Sequence, residues 1–263
     1  MRKQNLLLVT VPFSKSLPLF SSRKILAKYS LTTLFYTDSF DHFLKSFKNK
    51  DFDLIYLRDP FNFVACEDLE VKINLILQSF PKAVFIDKIQ SVDDLYFEDK
   101  WIQYQQFTDV MPKTALLIDK KNIEWSKFLI KKRVSSGSKG LIFSEKSLRG
   151  ESSNYIIQDK IDILQEYRVL SVRGEILPTV VLKKVSIKNG AVTVKVRDFQ
   201  QINKKLLSFT KMIHKKIKFD LVGYDIAELA DNSYVLIEIN RSPQFLAYHR
   251  ETGINVAEKL LLD

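Results

Sequence analysis

Short apolar segments alternate with an amphipathic one along the first 90 residues of the chain. Apolar side chains recur at helical spacing from Leu69 to Leu77. Four further segments are rich in aliphatic and aromatic side chains, are bounded by polar or proline-containing turns, and are typical of buried strands: Leu6–Val11, Leu31–Tyr36, Phe52–Leu57 and Ala83–Ile86. This alternation predicts a small parallel sheet with helices packed on it.

Beyond residue 90 the pattern changes to one dominated by hairpins. Residues 92–107 have the amphipathic pattern of one helix, and Pro112 separates it from a strand at Thr114–Ile118. Paired strands then flank polar or glycine-containing turns: Phe128–Lys132 with Leu141–Phe143, Tyr167–Val172 with Glu175–Leu182, Val185–Lys188 with Val192–Val196, and Val222–Leu229 with Tyr234–Ile239. Helices are expected over residues 200–217 and from about Asn255. A mixed α+β part is therefore predicted to follow an α/β N-terminal lobe.

The charge of the chain is unevenly distributed. The 263 residues carry a net charge of +10, but residues 51–100 hold eleven acidic and five basic side chains, whereas residues 120–150 hold nine basic and two acidic ones. Such a basic segment suits a polyanion, either a nucleoside triphosphate or a nucleic acid. A solvated lysine-rich face would have the same composition. Only the position of the segment relative to other candidate residues can distinguish a polyanion-binding site from such a face.

Missing motifs exclude several classes of site. None of the seven glycines precedes Gly137, and neither the dinucleotide pattern G-x-G-x-x-G nor the P-loop pattern occurs. A zinc-protease H-E-x-x-H and a G-x-S-x-G nucleophile elbow are also absent. The single cysteine, Cys66, provides no disulfide framework. The apolar run Leu6–Val11 is far shorter than the roughly 20 residues that span a bilayer, so a cytoplasmic location is expected.

The polar loop that follows the strand Phe128–Lys132 is the first candidate for chemistry. Lys131 and Lys132 lead into a run of small residues that continues to Gly140. A loop of this kind can fold over phosphate groups, because its backbone N–H groups and hydroxyls approach closely and lysine supplies charge. An ordinary hairpin with a polar tip fits the pattern equally well.

The run Glu238-Ile239-Asn240 is the second candidate. Residues i and i+2 of a strand point to the same side, so Glu238 and Asn240 present two oxygen ligands on one face. Asp225 of Gly223-Tyr224-Asp225 lies within cross-strand reach. Two carboxylates and an amide oxygen suit Mg²⁺ held jointly with phosphate oxygens. Asparagine is a poor strand former and Pro243 ends the strand, which favours a metal site over an outward polar stripe.

A third candidate, weaker by itself, is the segment 155–161 followed by Glu166-Tyr167-Arg168. An extended segment that stops pairing can offer its backbone groups to the edge of adenine, and a carboxylate a few residues later can hold ribose hydroxyls. Most such segments are simply strands. Taken in order, the three candidates resemble the ATP-grasp superfamily over roughly residues 90–263, and most closely its glutathione synthetase and ribosomal-protein glutamate ligase branch.

The resemblance implies an ATP-grasp fold and a set of residue roles. Its lobes would be an N-terminal α/β lobe at 1–90, a central lobe at 91–160 and a C-terminal lobe at 161–263. The nucleotide would be held by Lys100, Lys131, Ser135, Ser136, Gly137, Ser138, Gln158, Asp159, Ile161 and Glu166. The metal ligands would be Asp225, Glu238 and Asn240, and the residues that stabilise charge on the transferred group would be Arg168 or Arg197.

The loop and the hinge leave two points open. The loop departs from the family pattern in carrying Lys132 in place of proline and Ser135 in place of glycine. The hinge can be placed at Gln158-Asp159 or, in a second register, on Gln165-Glu166-Tyr167. The first register is preferred because it leaves 166–182 as a complete hairpin around Arg173-Gly174.

The resemblance implies ATP and one or two Mg²⁺ ions as cofactors, with Mn²⁺ as an alternative ion. The activity expected from it is carboxylate–amine ligation through an acylphosphate, with small molecules, peptides or protein tails as substrates. An ATP-grasp kinase and a non-catalytic ATP-binding module are the alternatives on the same fold. A basic nucleic-acid-binding protein is the alternative from another class. Neither a membrane nor a nucleic acid is expected as a partner, and a homo-oligomer is compatible with the family.

Overall fold

The structure is a computed structural model that describes residues 2–47, 50–58, 68–118, 123–135, 140–142, 148–188 and 191–263, without the side chains of residues 184–188 and 191–197. The strands are Gln4–Thr10 (β1), Tyr29–Phe35 (β2), Leu54–Leu57 (β3), Val84–Phe85 (β4), Thr114–Leu116 (β5), Phe128–Lys132 (β6), Leu141–Ile142 (β7), Tyr155–Asp159 (β8), Ile163–Val172 (β9), Glu175–Ile176 (β10), Thr179–Lys188 (β11), Ala191–Gln201 (β12), Leu221–Leu229 (β13) and Tyr234–Asn240 (β14). The α-helices are Arg23–Lys28 (α1), Phe40–Phe47 (α2), Leu69–Ser79 (α3), Lys100–Gln106 (α4), Lys204–His214 (α5), Leu246–Thr252 (α6) and Val256–Leu262 (α7).

The N-terminal strands form the predicted parallel sheet, in the order β2-β1-β3-β4. The central strand β1 is buried from Leu6 to Thr10, as expected for a strand that is covered on both faces. The helix predicted around Leu69–Leu77 is α3, which buries Leu69, Ile73 and Ile76. The α/β part of the prediction is therefore confirmed. No helix in the described part of the chain is long and apolar enough to cross a membrane.

The single helix predicted over residues 92–107 is wrong in one respect, because the segment is broken at Asp99. A 3₁₀ helix runs from Val92 to Glu98 and α4 then begins. Asp99 has extended dihedral angles and its side chain accepts a hydrogen bond from the amide of Trp101 (2.8 Å). An aspartate in this conformation caps a new helix by satisfying a free N–H group of its first turn.

Two antiparallel sheets make up the rest of the chain. One has the strand order β5-β8-β6-β7, and the other has the order β12-β11-β9-β13-β14, with the short β10 paired to β9. The hairpin around Arg173-Gly174 is shorter than predicted, because Leu177 and Pro178 separate β10 from β11. Helix α6, between Pro243 and the predicted final helix, was not predicted. These strands and helices confirm the mixed α+β class.

The hydrophobic cores join the N-terminal sheet to the third sheet. One cluster contains Leu7 and Ile55 together with Val169, Tyr224 and Ile239. The sheet β5-β8-β6-β7 has a small cluster of its own, made of Leu117, Ile130, Ile142, Leu148 and Tyr155. The β5-β8-β6-β7 sheet is therefore packed as a separate layer, whereas the other two sheets share cores.

A fully buried ion pair reinforces this junction. Arg241, which directly follows β14, donates from Nη1 to Asp87 Oδ2 (2.9 Å) and from Nη2 to the carbonyl of Leu57 (3.0 Å). The Asp87 carboxylate also accepts hydrogen bonds from the amides of Asp220 and Leu221. Both side chains of the pair have no exposed area. The end of β14 is thereby fixed against the carboxyl ends of the N-terminal strands.

Candidate functional site

Lys100, the first residue of α4, lies between the segment that follows β6 and strand β14. Its Nζ donates to the carbonyl oxygen of Ser135 (2.9 Å) and lies 3.3 Å from Glu238 Oε1. The side chain is only 9% exposed, so these contacts replace most of its hydration. The single ammonium group of Lys100 therefore contacts both the segment that follows β6 and the Glu238-Ile239-Asn240 run.

Lys131 projects from β6 on the face of the sheet that carries Gln158. Its Nζ donates to Gln158 Oε1 (2.6 Å), and Gln158 Nε2 donates to Thr114 Oγ1 (2.8 Å). In the antiparallel register Leu129 faces Gln158 and Lys131 faces Ile156, so all four side chains share one face. Lys132, the next residue, points to the opposite face and is exposed.

Asp225 is the centre of a network of charges on β13. Arg168 donates to it from two nitrogens, Nε to Oδ1 (2.8 Å) and Nη2 to Oδ2 (2.7 Å). Lys183 Nζ lies 2.6 Å from Asp225 Oδ2 and also donates to Glu166 Oε1 (2.7 Å). These side chains meet because β9 lies between β11 and β13, with Arg168 opposite both Val181 and Asp225.

A β-bulge sets the direction of Glu238 and Asn240. Asp225 pairs with Glu238 but Ile226 pairs with Leu236, so Ile237 is an extra residue on β14. The bulge allows Leu236 and Ile239 both to be buried while Glu238 and Asn240 remain partly exposed on the Asp225 side. Asn240 Nδ2 lies 3.3 Å from Asp225 Oδ2. The three predicted ligands are thus grouped around Asp225 in the folded protein.

Protonation within this group follows from burial and from the neighbouring charges. Burial acts to raise the pKa of Asp225, but the cations of Arg168 and Lys183 outweigh it and hold the pKa well below its usual range. Burial lowers the pKa of Lys131 to about 8, although the carboxylates of Glu238 and Glu166 oppose the shift. At neutral pH the group therefore combines the ionised carboxylate of Asp225 with a lysine that titrates close to the physiological range.

The connection between the two antiparallel sheets consists of residues 160–162, between β8 and β9. Ile161 in this connection is half-buried. The amide of Asp159 donates to the carbonyl of Lys113 (2.9 Å), and the amide of Lys160 donates to the carbonyl of Lys127 (2.8 Å). Residues 165–167, the second hinge register, lie within β9 and pair with β13, and Glu166 and Tyr167 also pair with β11. The backbone that joins the two sheets, residues 160–162, therefore directly follows the first register.

Some of the predicted residues cannot be placed in the site. Ser136, Gly137 and Ser138 lie outside the described residues, and so does the side chain of Arg197, whose backbone is part of β12. Ser135 is described and accepts from Lys100 through both its carbonyl and its hydroxyl oxygen. A side chain at Gly140 would meet Ser135 Oγ at 2.0 Å, so this glycine permits the close approach of the two ends of the loop.

Two contributors were not among the predicted site residues. Lys183 bridges Glu166 and Asp225 from β11, where it lies opposite Glu166 of β9. Arg133 donates to both oxygens of Asp99, with Nη2 2.6 Å from Oδ2, and so ties the start of α4 to the end of β6. This second contact depends on the break at Asp99, which the amphipathic pattern did not reveal.

Comparison with known proteins identifies the family and the fold of the chain. The family model described as the RimK-like ATP-grasp domain matches residues 87–262. Among curated proteins, none matches the chain in sequence. The PsnB ATP-grasp ligase, in a complex with a phosphomimetic variant of its minimal precursor, Mg and ADP, superposes with a TM-score of 0.69 at 11% identity, over 97% of this chain and 96% of that one.

Two further solved structures have similar scores. The macrocyclase MdnC from Microcystis aeruginosa MRC, bound to its precursor peptide MdnA, has a TM-score of 0.64 at 12% identity, with 98% of each chain covered. The D-alanine–D-alanine ligase of Bacillus anthracis, in complex with ATP, has a TM-score of 0.63 at 10% identity, over 99% of this chain and 96% of that one. These matches confirm the predicted fold. At sequence identities this low they support a conclusion about the fold alone.

Proposed function

The chain belongs to the RimK-like ATP-grasp family, and from this premise we propose that it is a ligase that uses Mg-ATP to join a carboxylate to an amine. The observation that carries the proposal is the position of Lys100, whose ammonium contacts both Ser135 and Glu238. A triphosphate that entered at this point would meet lysines on the β6 side and carboxylates on the β13–β14 side. That is the arrangement required to neutralise and orient a transferred phosphoryl group.

The chemistry of the donor set fits a magnesium ion. The described residues include no group of three histidine, cysteine or acidic side chains that could hold a metal by itself. Mg²⁺ in nucleotide sites is usually bound by one or two carboxylates and completes its shell with phosphate oxygens and water. Glu238, Asn240 and Asp225 supply such a partial set. Bound there, the ion would supply positive charge to the phosphate oxygens.

Asp225 would join the ligand set when a polyanion enters. Its Oδ2 is contacted by Arg168, Lys183 and Asn240. A triphosphate nearby would attract the ammonium of Lys183 and so remove one of the three donors that compete with a metal for this oxygen. Glu166 is paired through Oε1 with the same lysine. In this proposal it binds the ribose hydroxyls of ATP, as predicted from the sequence.

The reaction that we propose has two steps. Attack of the substrate carboxylate on the γ-phosphorus breaks the bond between the β,γ-bridging oxygen and that phosphorus, and gives an acylphosphate and ADP. An amine then attacks the acyl carbon, loses a proton, and expels phosphate as the amide forms. Lys131 and Lys100 would hold the phosphates, and Arg168, with its five donors in a fixed plane, would stabilise charge on the transferred group. The acceptor would be a small molecule, a peptide or a protein tail. The structures of PsnB and MdnC contain bound precursors, and the precursor of MdnC is a peptide.

Product analysis tests the proposal directly. Wild-type protein is incubated with ATP, Mg²⁺ and pools of amino acids and acidic peptides, and phosphate release and product masses are recorded. A new amide formed with stoichiometric phosphate is the expected result, and hydroxylamine in place of the amine should give a hydroxamate from the acylphosphate. A phosphorylated product would instead identify a kinase, and ATP binding without turnover would identify a non-catalytic module.

The pKa of Lys131 leads to a prediction about nucleotide affinity. A lysine with a pKa of about 8 carries its positive charge below this pH and loses it as the pH rises. The affinity for Mg-ATP should therefore fall between pH 8 and pH 9, by up to about tenfold, because one unit of pH changes the protonation equilibrium by that factor. Isothermal titration calorimetry across pH 7 to 9.5 measures the effect.

The neighbouring lysine provides a matched control for this measurement. The Lys131→Met variant should bind Mg-ATP weakly and without this pH dependence, whereas Lys132→Met should keep both the affinity and the pH profile. Lys132 lies on the same strand but points away from Gln158. An identical pH profile in wild type and Lys131→Met would rule out Lys131 as the titrating group.

A further inference from the structure

Gln103 of helix α4 has a fully buried polar side chain, which contacts the backbone of β14, the strand that carries Glu238 and Asn240. Its Nε2 donates to the carbonyl of Ile239 (2.8 Å), and its Oε1 accepts from the amide of Ile239 (2.8 Å). Ile239 is the residue between Glu238 and Asn240. The amide side chain therefore forms the same pair of hydrogen bonds that a neighbouring strand would form.

The position of β14 explains why such a contact matters. β14 is the last strand of its sheet and pairs only with β13 among the strands of that sheet. It also contains the bulge at Ile237, immediately before Glu238. Bulges and unpaired edges loosen the ladder locally. On its outer edge, β14 is held by Gln103 and by a hydrogen bond from the amide of Leu236 to the carbonyl of Val110 (2.8 Å).

Helix α4 is itself held firmly in place. Asp99 at its start is ion-paired with Arg133 of the β6 side, and Lys100, one turn before Gln103, reaches Glu238. Residues three apart on a helix share a face, so Lys100 and Gln103 contact the same part of β14. One helix thus contacts the side chain of Glu238 and the backbone that follows it.

We propose that Gln103 is a positioning residue for the metal site: by pairing with both backbone groups of Ile239, it fixes the bulged edge of β14 so that Glu238 and Asn240 bind one Mg²⁺ ion together. Gln103 touches neither nucleotide nor metal in this role. The inference rests on the proposed function. Loss of the pair would lower the affinity for Mg²⁺ and leave the contacts of the lysines with the phosphates in place.

The test separates metal binding from nucleotide binding. Binding of the fluorescent nucleotide mant-ATP is measured at increasing Mg²⁺ concentration and, separately, in EDTA. Gln103→Leu removes both hydrogen bonds to Ile239, and a third from Nε2 to the carbonyl of Phe97 (3.0 Å), at similar side-chain volume. It should raise the half-saturating Mg²⁺ concentration roughly tenfold, the scale on which side chains that orient metal ligands act. Binding in EDTA should change by less than about twofold. Gln103→Glu keeps the acceptor for the Ile239 amide but places a carboxylate oxygen against the carbonyls of Ile239 and Phe97, so its effect should have the same direction.

Gln106→Leu is the matched control, because Gln106 lies one turn farther along α4 and bonds to the carbonyl of Lys216 at the surface (3.1 Å). A half-saturating Mg²⁺ concentration in Gln103→Leu equal to that of Gln106→Leu would overturn the role of Gln103. So would a parallel loss of binding with and without Mg²⁺. If the leucine variant does not fold, Gln103→Glu decides by the same criterion. A wild type without Mg²⁺-dependent binding would refute the proposed function itself.

Discussion

Replacing Glu238 and Asn240 together by alanine should abolish Mg²⁺-dependent ATP turnover while the protein remains folded. Substitution of residues that only orient metal ligands costs about 10- to 100-fold in activity, so the loss of two direct ligands should exceed 100-fold. Both side chains are partly exposed, and their replacement removes an ion pair at 3.3 Å and a hydrogen bond at 3.3 Å. The free energy of unfolding should therefore change little.

Glu228→Gln is the control for this double variant. Glu228 is a carboxylate on the same hairpin, three residues beyond Asp225, and it accepts from the hydroxyl of Tyr167 (2.6 Å). Glutamine preserves an acceptor at this position, so turnover should stay within about twofold of wild type. Turnover is measured as phosphate release, and folding as the thermal midpoint. Unchanged turnover in the Glu238→Ala/Asn240→Ala protein would refute the assignment of these two residues as ligands.

The Asp87→Asn substitution should have the largest effect on stability. It leaves the guanidinium of Arg241, which has no exposed area, without its negative partner. Uncompensated burial of a charge of this kind costs about 3–5 kcal/mol, a large part of the roughly 5–15 kcal/mol that stabilises a typical domain. Burial raises the pKa of Asp87 to about 6, against the opposing effect of Arg241, so the pair is ionised at neutral pH.

Asparagine is chosen because Asp87 has φ = 67°. Asparagine tolerates this left-handed conformation and keeps an acceptor for the amides of Asp220 and Leu221, so the substitution isolates the charge. Denaturant unfolding measures the change. The exposed pair of Asp109 and Lys216, at 3.7 Å, supplies the comparison, since Asp109→Ala should cost less than about 1 kcal/mol. Equal costs for the two variants would contradict the structural role of the buried pair.

The sequence predicted those features that depend on local pattern. Residues i and i+2 of a strand share a face, and this alternation alone was enough to group Glu238 with Asn240. The parallel N-terminal sheet followed in the same way from alternating apolar segments. Glu238 and Asn240 lie on the same face in the structure because the bulge at Ile237 lies just before them. Had the bulge fallen between the two residues, their side chains would have pointed to opposite faces.

The features that the sequence did not predict depend on contacts between distant segments. Asp99 breaks the predicted helix because Arg133 and the cap at Trp101 stabilise a turn there. Lys183 reaches Asp225 across β9, and Gln103 contacts Ile239 over 136 positions of the chain. Hydrophobic periodicity carries no information about such partners.

A crystal structure of the protein with a non-hydrolysable ATP analogue and Mn²⁺ tests the central claim most directly, because the anomalous signal of manganese identifies the ion. The proposal predicts a manganese peak within about 2–2.5 Å of side-chain oxygens of Glu238 and Asn240, with the phosphates between the ion and Lys131. A manganese ion that contacts neither residue, or a nucleotide bound away from Lys100 and Lys131, would contradict it.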